Sequence, residues 1–262
     1  MTIKEVYDIL DAYAPFSLQE SYDRSGLLAG DPAQEVSSVM LTLDITTPVV
    51  LEAAEKHADL IVSHHPVIWD PLKSISPAHP VWHLVRHGIG AVCTHTCLDI
   101  AEGGLNDCFG DLLQCCIPLD AARAPLSVLS GGRTLGSVAA LAKPADADLL
   151  AAELKTALHC SSLRYRRGKN AASICRIAWC TGSGGDLMRD AIKAGADALI
   201  TGDCKHSVWA EAQNLDFTLF DCGHFETEVL AVGLLRRILQ DAAPGLTILD
   251  SEAGTKPFFT AI

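Results

Sequence analysis

Three stretches of this chain carry side chains able to hold or move charge. "ADLIVSHHP" (58–66) ends an apolar, β-branched run in Ser63-His64-His65-Pro66. "CTHTCLDIAEGGLND" (93–107) sets His95 and Asp99 just past another apolar run, and Gly103-Gly104 then permit a tight turn. In "LFDCGHFETEVLAVGLLRRIL" (219–239) a strand ends at Asp221, Gly223 turns the chain and a helix starts near His224. His224 and Glu228 are four residues apart, so on a helix they project from one face, a spacing that suits chelation of a divalent ion. Each piece has a plainer reading. Neighbours on a strand point to opposite faces, so His64 and His65 suit one ion poorly; where the chain turns before Pro66 they can reach two nearby ions. His95 and Asp99 equally make a local hydrogen-bonded pair, and Glu226 and Glu228 also suit the positive end of a helix. Taken together, three strand tips each offer a histidine and two add a carboxylate. Such mixed donors suit Zn²⁺, Mn²⁺, Fe²⁺ or Co²⁺. Two ions about 3.5–4 Å apart would activate a water and steady an oxyanion.

The elements that must present these tips alternate in type. "VSSVMLTLDI" (36–45) reads as a strand ending in Asp44, and "TPVVLEAAEKHA" (47–58) as a helix with Pro48 in its first turn. A strand follows to His64-His65, then a helix over "HPVWHLVRHG" (79–88) and a strand over "IGAVCTHTCLD" (89–99). Nearly all-apolar strands alternating with helices predict an α/β protein whose sheets are mostly parallel and flanked by helices. In such sheets ligands collect at the carboxyl ends of strands. Asp44, His64-His65, His95 with Asp99, the Thr181–Asp186 loop, Asp203 and His224 with Glu228 all fall there. The plan also recurs loosely. "RIAWCTGSGGDLMRDAIKAGADALITGDCKH" (176–206) follows 38–68, and "KHADLIVSHH" over "KAGADALITGD" sets Ser63-His64-His65 above Thr201-Gly202-Asp203. Two related lobes follow, 1–125 with His64, His65 and Asp99, and 126–262 with His224 and Glu228, joined through about 120–170. There, Gly131-Gly132 and Gly136 of "LSGGRTLGSVAALAKP" (129–144) allow tight turns.

Of the 262 residues, 49% are apolar and the formal net charge is −12. A chain of this size buries a full core, and its acidic balance disfavours a nucleic-acid partner. The basic cluster Arg164-Tyr165-Arg166-Arg167-Gly168-Lys169 is short enough to be a solvated turn, an anion contact or a subunit contact. No apolar run reaches the roughly 18 residues of a membrane helix. The opening "MTIKEVYDILDAYAPF" reads as an amphipathic helix rather than a signal peptide. Ten cysteines include no Cys-x-x-Cys pair, and Cys93, Cys175 and Cys180 sit in apolar segments. They are expected to be reduced packing residues of a cytoplasmic protein.

The chain resembles the Nif-three-like family, whose members carry the name GTP cyclohydrolase 1 type 2 homologue. The resemblance runs through "APFSLQESYDRSGLLAGDP" (14–32), "VMLTLDITTPVVLEAAEKHADLIVSHHPVIWDPLKSI", "THTCLDIAEGGLND", "GGRTLGSVAAL", "CTGSGGDL", "GADALITGDCKH", "DCGHFETE" and "GTKPFF". It matches the family's short form, without an inserted domain. The resemblance implies two divalent ions held between the lobes by His64, His65, Asp99, His224 and Glu228, with Glu228 bridging, and a toroidal homohexamer. It also implies a hydrolase of a small anionic or nucleotide-like molecule, with opening of the guanine ring of GTP as the named chemistry. His95 and Asp44, with Asp23, are candidates for proton transfer, and Lys205 and Arg24 for a phosphate. His95 fits a structural role at the cavity wall equally well. A non-catalytic metal-binding scaffold is the alternative function. The chain departs from the family at Arg24 of Tyr22-Asp23-Arg24, at Cys97, and at Lys205-His206-Ser207.

Overall fold

The computed structural model describes residues 1–129 and 133–259, so the expected turn at Gly131-Gly132 lies outside the described residues. Contacts divide the chain into two compact units, Met1–Gly104 with Ala231–Lys256, and Leu105–Leu230 with Pro257–Ile262.

The first unit opens with α1 (Ile3–Tyr13), capped reciprocally by Thr2 and Glu5. Then come β1 (Gly26–Ala29), β2 (Ser38–Thr42), α2 (Thr47–Glu55), β3 (Leu60–Ser63), α3 (Pro80–His87), β4 (Gly90–Cys93) and α4 (Thr96–Ile100). Pro48 stands in the first turn of α2, as the sequence predicts, and Thr46 caps the helix. His79 caps α3, which stops at Gly88 in the left-handed conformation. Every residue of β2, β3 and β4 is buried, and the three strands run parallel. Met40, Ile61 and Ala91 pack on Val49, Val50 and Ala53 of α2 and Val81 and Leu84 of α3. Val39, Leu41, Leu60, Val62 and Val92 alternate with them and are also buried. Burial of both faces is why these strands read as unbroken apolar runs.

The second unit starts with α5 (Leu105–Cys116), β5 (Leu119–Val128), β6 (Thr134–Ala145), α6 (Ala147–Ala157), β7 (Arg164–Arg166) and β8 (Ile174–Trp179). It continues with α7 (Met188–Lys193), β9 (Ala198–Thr201), α8 (His206–Asn214), β10 (Thr218–Asp221) and α9 (His224–Glu228). Its sheet has the order β5-β6-β8-β9-β10-β7. β8, β9 and β10 are parallel, whereas β5, β6 and β7 join antiparallel, so the second sheet is mixed where a mostly parallel one was expected. Ile177, Trp179, Ile200 and Phe220 face Phe109 and Leu113 of α5 and Leu150 and Leu154 of α6. The intervening Ala178, Leu199 and Leu219 face Met188 and Ala191 of α7 and Val208 and Ala212 of α8.

The chain then returns to the first unit with α10 (Leu230–Ala242) and β11 (Thr247–Asp250), which pairs parallel with β2 and completes the order β1-β4-β3-β2-β11. The division therefore falls at Gly104/Leu105 rather than near 125, and it is not simply sequential. The cause is packing: Phe109, Leu113, Ile117 and Leu119 share a core with Ile177 and Trp179.

The recurrence of 38–68 in 176–206 extends to hydrogen bonds. Register pairs Val39 with Leu60 and Ile177 with Ala198, the same spacing in each case. Asp59 Oδ2 accepts the backbone N–H groups of Ser37 and Ser38, and Asp197 Oδ2 those of Cys175 and Arg176. Each β-α-β unit thus closes its strand entry with the aspartate that begins its second strand.

Candidate metal centre

Parallel pairing brings the carboxyl ends of β2, β3 and β4 to one edge, and Asp44, His64, His65 and His95 all follow those ends. β3 ends at Ser63, whose hydroxyl donates to His65 O at 2.7 Å. With the strand over, the two histidines do not splay to opposite faces; their ring centroids lie 5.1 Å apart. His64 is fully buried and its Nδ1 lies 2.9 Å from Thr94 O. His65 Nδ1 lies 2.8 Å from Asp44 Oδ1, and His95 Nδ1 lies 2.8 Å from Asp23 Oδ1. Carbonyl and ionised carboxylate oxygens only accept, so all three rings carry the proton on Nδ1 and keep the lone pair on Nε2. One nitrogen from each of the three lies within 4.8 Å of the others. Asp99, on α4, places Oδ1 3.8 Å from His64 Nε2.

In the second unit, α9 starts just past β10, and His224 Nε2 meets Glu228 Oε2 at 2.8 Å, so the predicted one-face spacing is realised. His224 Nδ1 lies 3.0 Å from Asp203 Oδ2. Asp203 sits at the tip of β9 with φ of 48°, in the left-handed region that aspartate tolerates better than most residues. Two glycines make room. A Cβ on Gly182, at φ +60°, would overlap Glu228 Oε1, and one on Gly202 would stand 2.6–2.7 Å from the backbone of Gly223 and His224. Glu226 turns inward, and burial pushes its carboxyl up, so it is no solvated helix-start carboxylate.

Asp23 is buried among several donors. Burial alone would raise its carboxyl, but hydrogen bonds from His95, Thr96 and Ser25 hold it well below the usual carboxylate range. Arg24 is exposed and folds its guanidinium onto Tyr22 O and Asp23 O. Lys205 is exposed at the cap of α8. Cys97 is buried with its thiol pushed up to about 12 by burial, which suits an inert packing residue rather than a soft metal ligand. In the basic cluster, Arg164 pairs with Asp221, Arg166 with Asp216, and Arg167 with Asp146 and Asp148, so these charges are spent within the unit. Cys93 and Cys180 are buried as expected, but Cys175 is exposed, because alternation along β8 turns it outward.

The sequence placed Asp203 and the Thr181–Asp186 loop at strand tips, but not the contact of Asp203 with His224 or the closeness of Gly182 to Glu228. The repeat carried a signal for Asp203, since it aligns with His65; Gly182 has none, because its constraint is a carboxylate distant in the chain.

The donor chemistry fits a divalent transition-metal ion. Four imidazoles each have Nδ1 on an oxygen acceptor, the arrangement that orients metal-ligating histidines, and carboxylates lie beside two of the Nε2 atoms.

A family model described as Duf34/NIF3 (NGG1p interacting factor 3) matches residues 1–257. A Clostridium perfringens protein named GTP cyclohydrolase 1 type 2 homolog is 31% identical over 232 residues, covering 87% of each chain. A Streptococcus pneumoniae protein of the same name is 31% identical over 269 residues, covering 98% of this chain and 99% of its own. The crystal structure of the Staphylococcus aureus hypothetical protein SA1388 superposes with a TM-score of 0.88 at 27% identity, covering 100% of this chain and 99% of that one. No helix among the described residues is long and apolar enough to cross a membrane.

Proposed function

The chain belongs to the Duf34/NIF3 family, and on that premise we propose that it is a metal-dependent hydrolase of a small anionic or nucleotide-like molecule. The observation that carries the proposal is the set of imidazoles with Nδ1 tied to oxygen, a costly arrangement for residues that merely pack. Two divalent ions per chain, with His64, His65, Asp99, His224 and Glu228 as ligands and Glu228 bridging, belong to the same proposal; the family resemblance and the donor types support it. Ions so held would acidify a water and steady a developing oxyanion. Asp44 fixes the tautomer of His65 and is the carboxylate nearest to hand for a proton. Lys205 and Arg24 are exposed cations able to meet a phosphate. The names of the relatives make opening of the guanine ring of GTP the first reaction to try.

The test is elemental analysis of untagged protein, beside a His65→Ala/Glu228→Ala variant, followed by chromatographic assay with GTP and other nucleotides. About two ions per chain, lost in the variant, with turnover that follows metal content, is the expected result. A wild-type chain that takes up no ion from Zn²⁺, Mn²⁺ or Fe²⁺ would sink the hydrolase. Assembly into a homo-oligomer, six-membered by the resemblance, is also proposed. Exposed Trp69, Leu72, Ile75, Trp82 and Val85 on the first unit support a surface that another copy covers. The same patch favours the competing reading, a metal-binding scaffold, which two ions without any nucleotide turnover would leave standing.

A further inference from the structure

A buried carboxylate is costly unless its acceptor capacity is filled, and Asp23 fills its own largely in the service of one ring. Its side chain is 0% exposed. It accepts from His95 Nδ1 at 2.8 Å, Thr96 N at 3.0 Å, the Thr96 hydroxyl at 2.5 Å, the Ser25 hydroxyl at 2.8 Å and Arg24 N at 2.6 Å. Ser25 Oγ in turn accepts the backbone N–H of His95 at 2.9 Å. His95 is therefore fixed at ring and backbone by a network that includes no solvent-exposed carboxylate. Its ring centroid stands 5.3 Å from that of His64 and 5.5 Å from that of His65, and Trp69 covers it edge-on at 5.1 Å. A carboxylate on Nδ1 raises the basicity of Nε2 and aims it, which is what a metal-ligating imidazole needs.

We propose that His95 is itself a ligand, and that His64, His65 and His95 form a three-imidazole site able to hold one ion without any donor from the second unit. The inference rests on the metal-centre reading of the site and goes beyond its five ligands. It gives His95 a different task from the proton transfer expected of it. Asp23 is then a positioning residue, acting through His95. Three imidazole nitrogens and one further position make a four-coordinate site suited to Zn²⁺ or Co²⁺, and Asp99 lies close enough to His64 to offer the fourth donor.

Cobalt serves as the probe, with the full-length chain throughout. A His224→Ala/Glu228→Ala variant should keep about one Co²⁺ per chain after dialysis, as a three-imidazole site requires. Adding His95→Ala should weaken that ion by more than the roughly 10–100-fold that loss of a supporting residue costs. His95→Ala leaves the buried Asp23 short of a donor, so a second variant is needed in case it fails to fold. His95→Cys in the otherwise native chain should add a thiolate-to-cobalt charge-transfer band that the wild-type spectrum lacks. If the wild-type chain binds two ions but the double variant binds none, or binds one that ignores His95→Ala, or if His95→Cys gives no new band, the inference falls while the metal centre stands. A wild-type chain that binds no cobalt would overturn both.

Discussion

His65 and His224 each have Nδ1 on a carboxylate, Asp44 at 2.8 Å and Asp203 at 3.0 Å. Loss of such a partner frees the ring to turn and lets the proton move to the other nitrogen. Asp44→Ala and Asp203→Ala are each expected to loosen metal by about 10–100-fold, read by competition with a chromophoric chelator; affinity unchanged in both would mean that the rings are held by packing alone. Gly182→Ala is expected to act from the other side. Its methyl would displace the Glu228 carboxylate and force a left-handed backbone on alanine, at a cost of about 1–3 kcal/mol in thermal or urea melts. Residue type and spacing marked His64, His65, Asp99, His224 and Glu228 as polar strand tips, while their grouping as one ligand set came from the family resemblance; the structure sets His64 beside His65 and His224 beside Glu228. Asp203 and the loop holding Gly182 were also read as strand tips, but their roles, a hydrogen bond to His224 and a close approach to Glu228, depend on residues remote in the chain that local pattern does not show.

At the level of elements, Asp59 and Asp197 make a matched pair, each collecting the backbone donors where a parallel strand begins. Asp59→Ala and Asp197→Ala should each cost about 1–3 kcal/mol in chemical denaturation, through backbone donors left unsatisfied. A large loss in one and none in the other would show that the two β-α-β units share sequence without sharing its energetics. Glu52 of α2 does comparable work for the chain's return, accepting from the Ser251 hydroxyl and from the backbone N–H groups of Glu252 and Ala253, with Lys56 beside it. Burial opposes its ionisation, but these donors prevail and bring its carboxyl from 4.5 down to about 2. A depressed carboxyl stabilises the fold above its ordinary value and loses that contribution as pH falls through the lower one. Stability should therefore decline between about pH 4.5 and 2, and Glu52→Gln should be less stable at neutral pH and flatter over that window in pH-dependent melts. The β-α-β units were readable because strands buried on both faces show as continuous apolar runs. The β5–β6 pair was taken for a connection, because β6 alternates buried with half-buried residues and its register with β8 shifts between Ala140 and Ala145.

Across the whole molecule, thiol reactivity should report the packing. Cys115 and Cys175 are exposed, Cys108 and Cys116 are half-buried, and the other six are buried, with burial pushing Cys160 and Cys204 up to about 12. Alkylation by iodoacetamide at neutral pH, followed by mass spectrometry, should mark Cys115 and Cys175 first and reach Cys93, Cys97, Cys160, Cys180, Cys204 and Cys222 only after denaturation. Early modification of Cys160 or Cys222 would mean that the second core opens readily. The sequence identified both halves of the molecule but not where they divide. Patterning marks a helix such as α5 without saying which sheet it covers, and β11 finds β2 across nearly the whole chain.

That last pairing has a consequence for biosynthesis. β11 (Thr247–Asp250) belongs to the sheet whose other four strands are made before residue 94. As the chain leaves the ribosome, nearly all of the second unit is available to fold while β2 still presents an open edge. The histidines of the first unit thus emerge early, on a sheet that must wait for residues 247–250 to be closed.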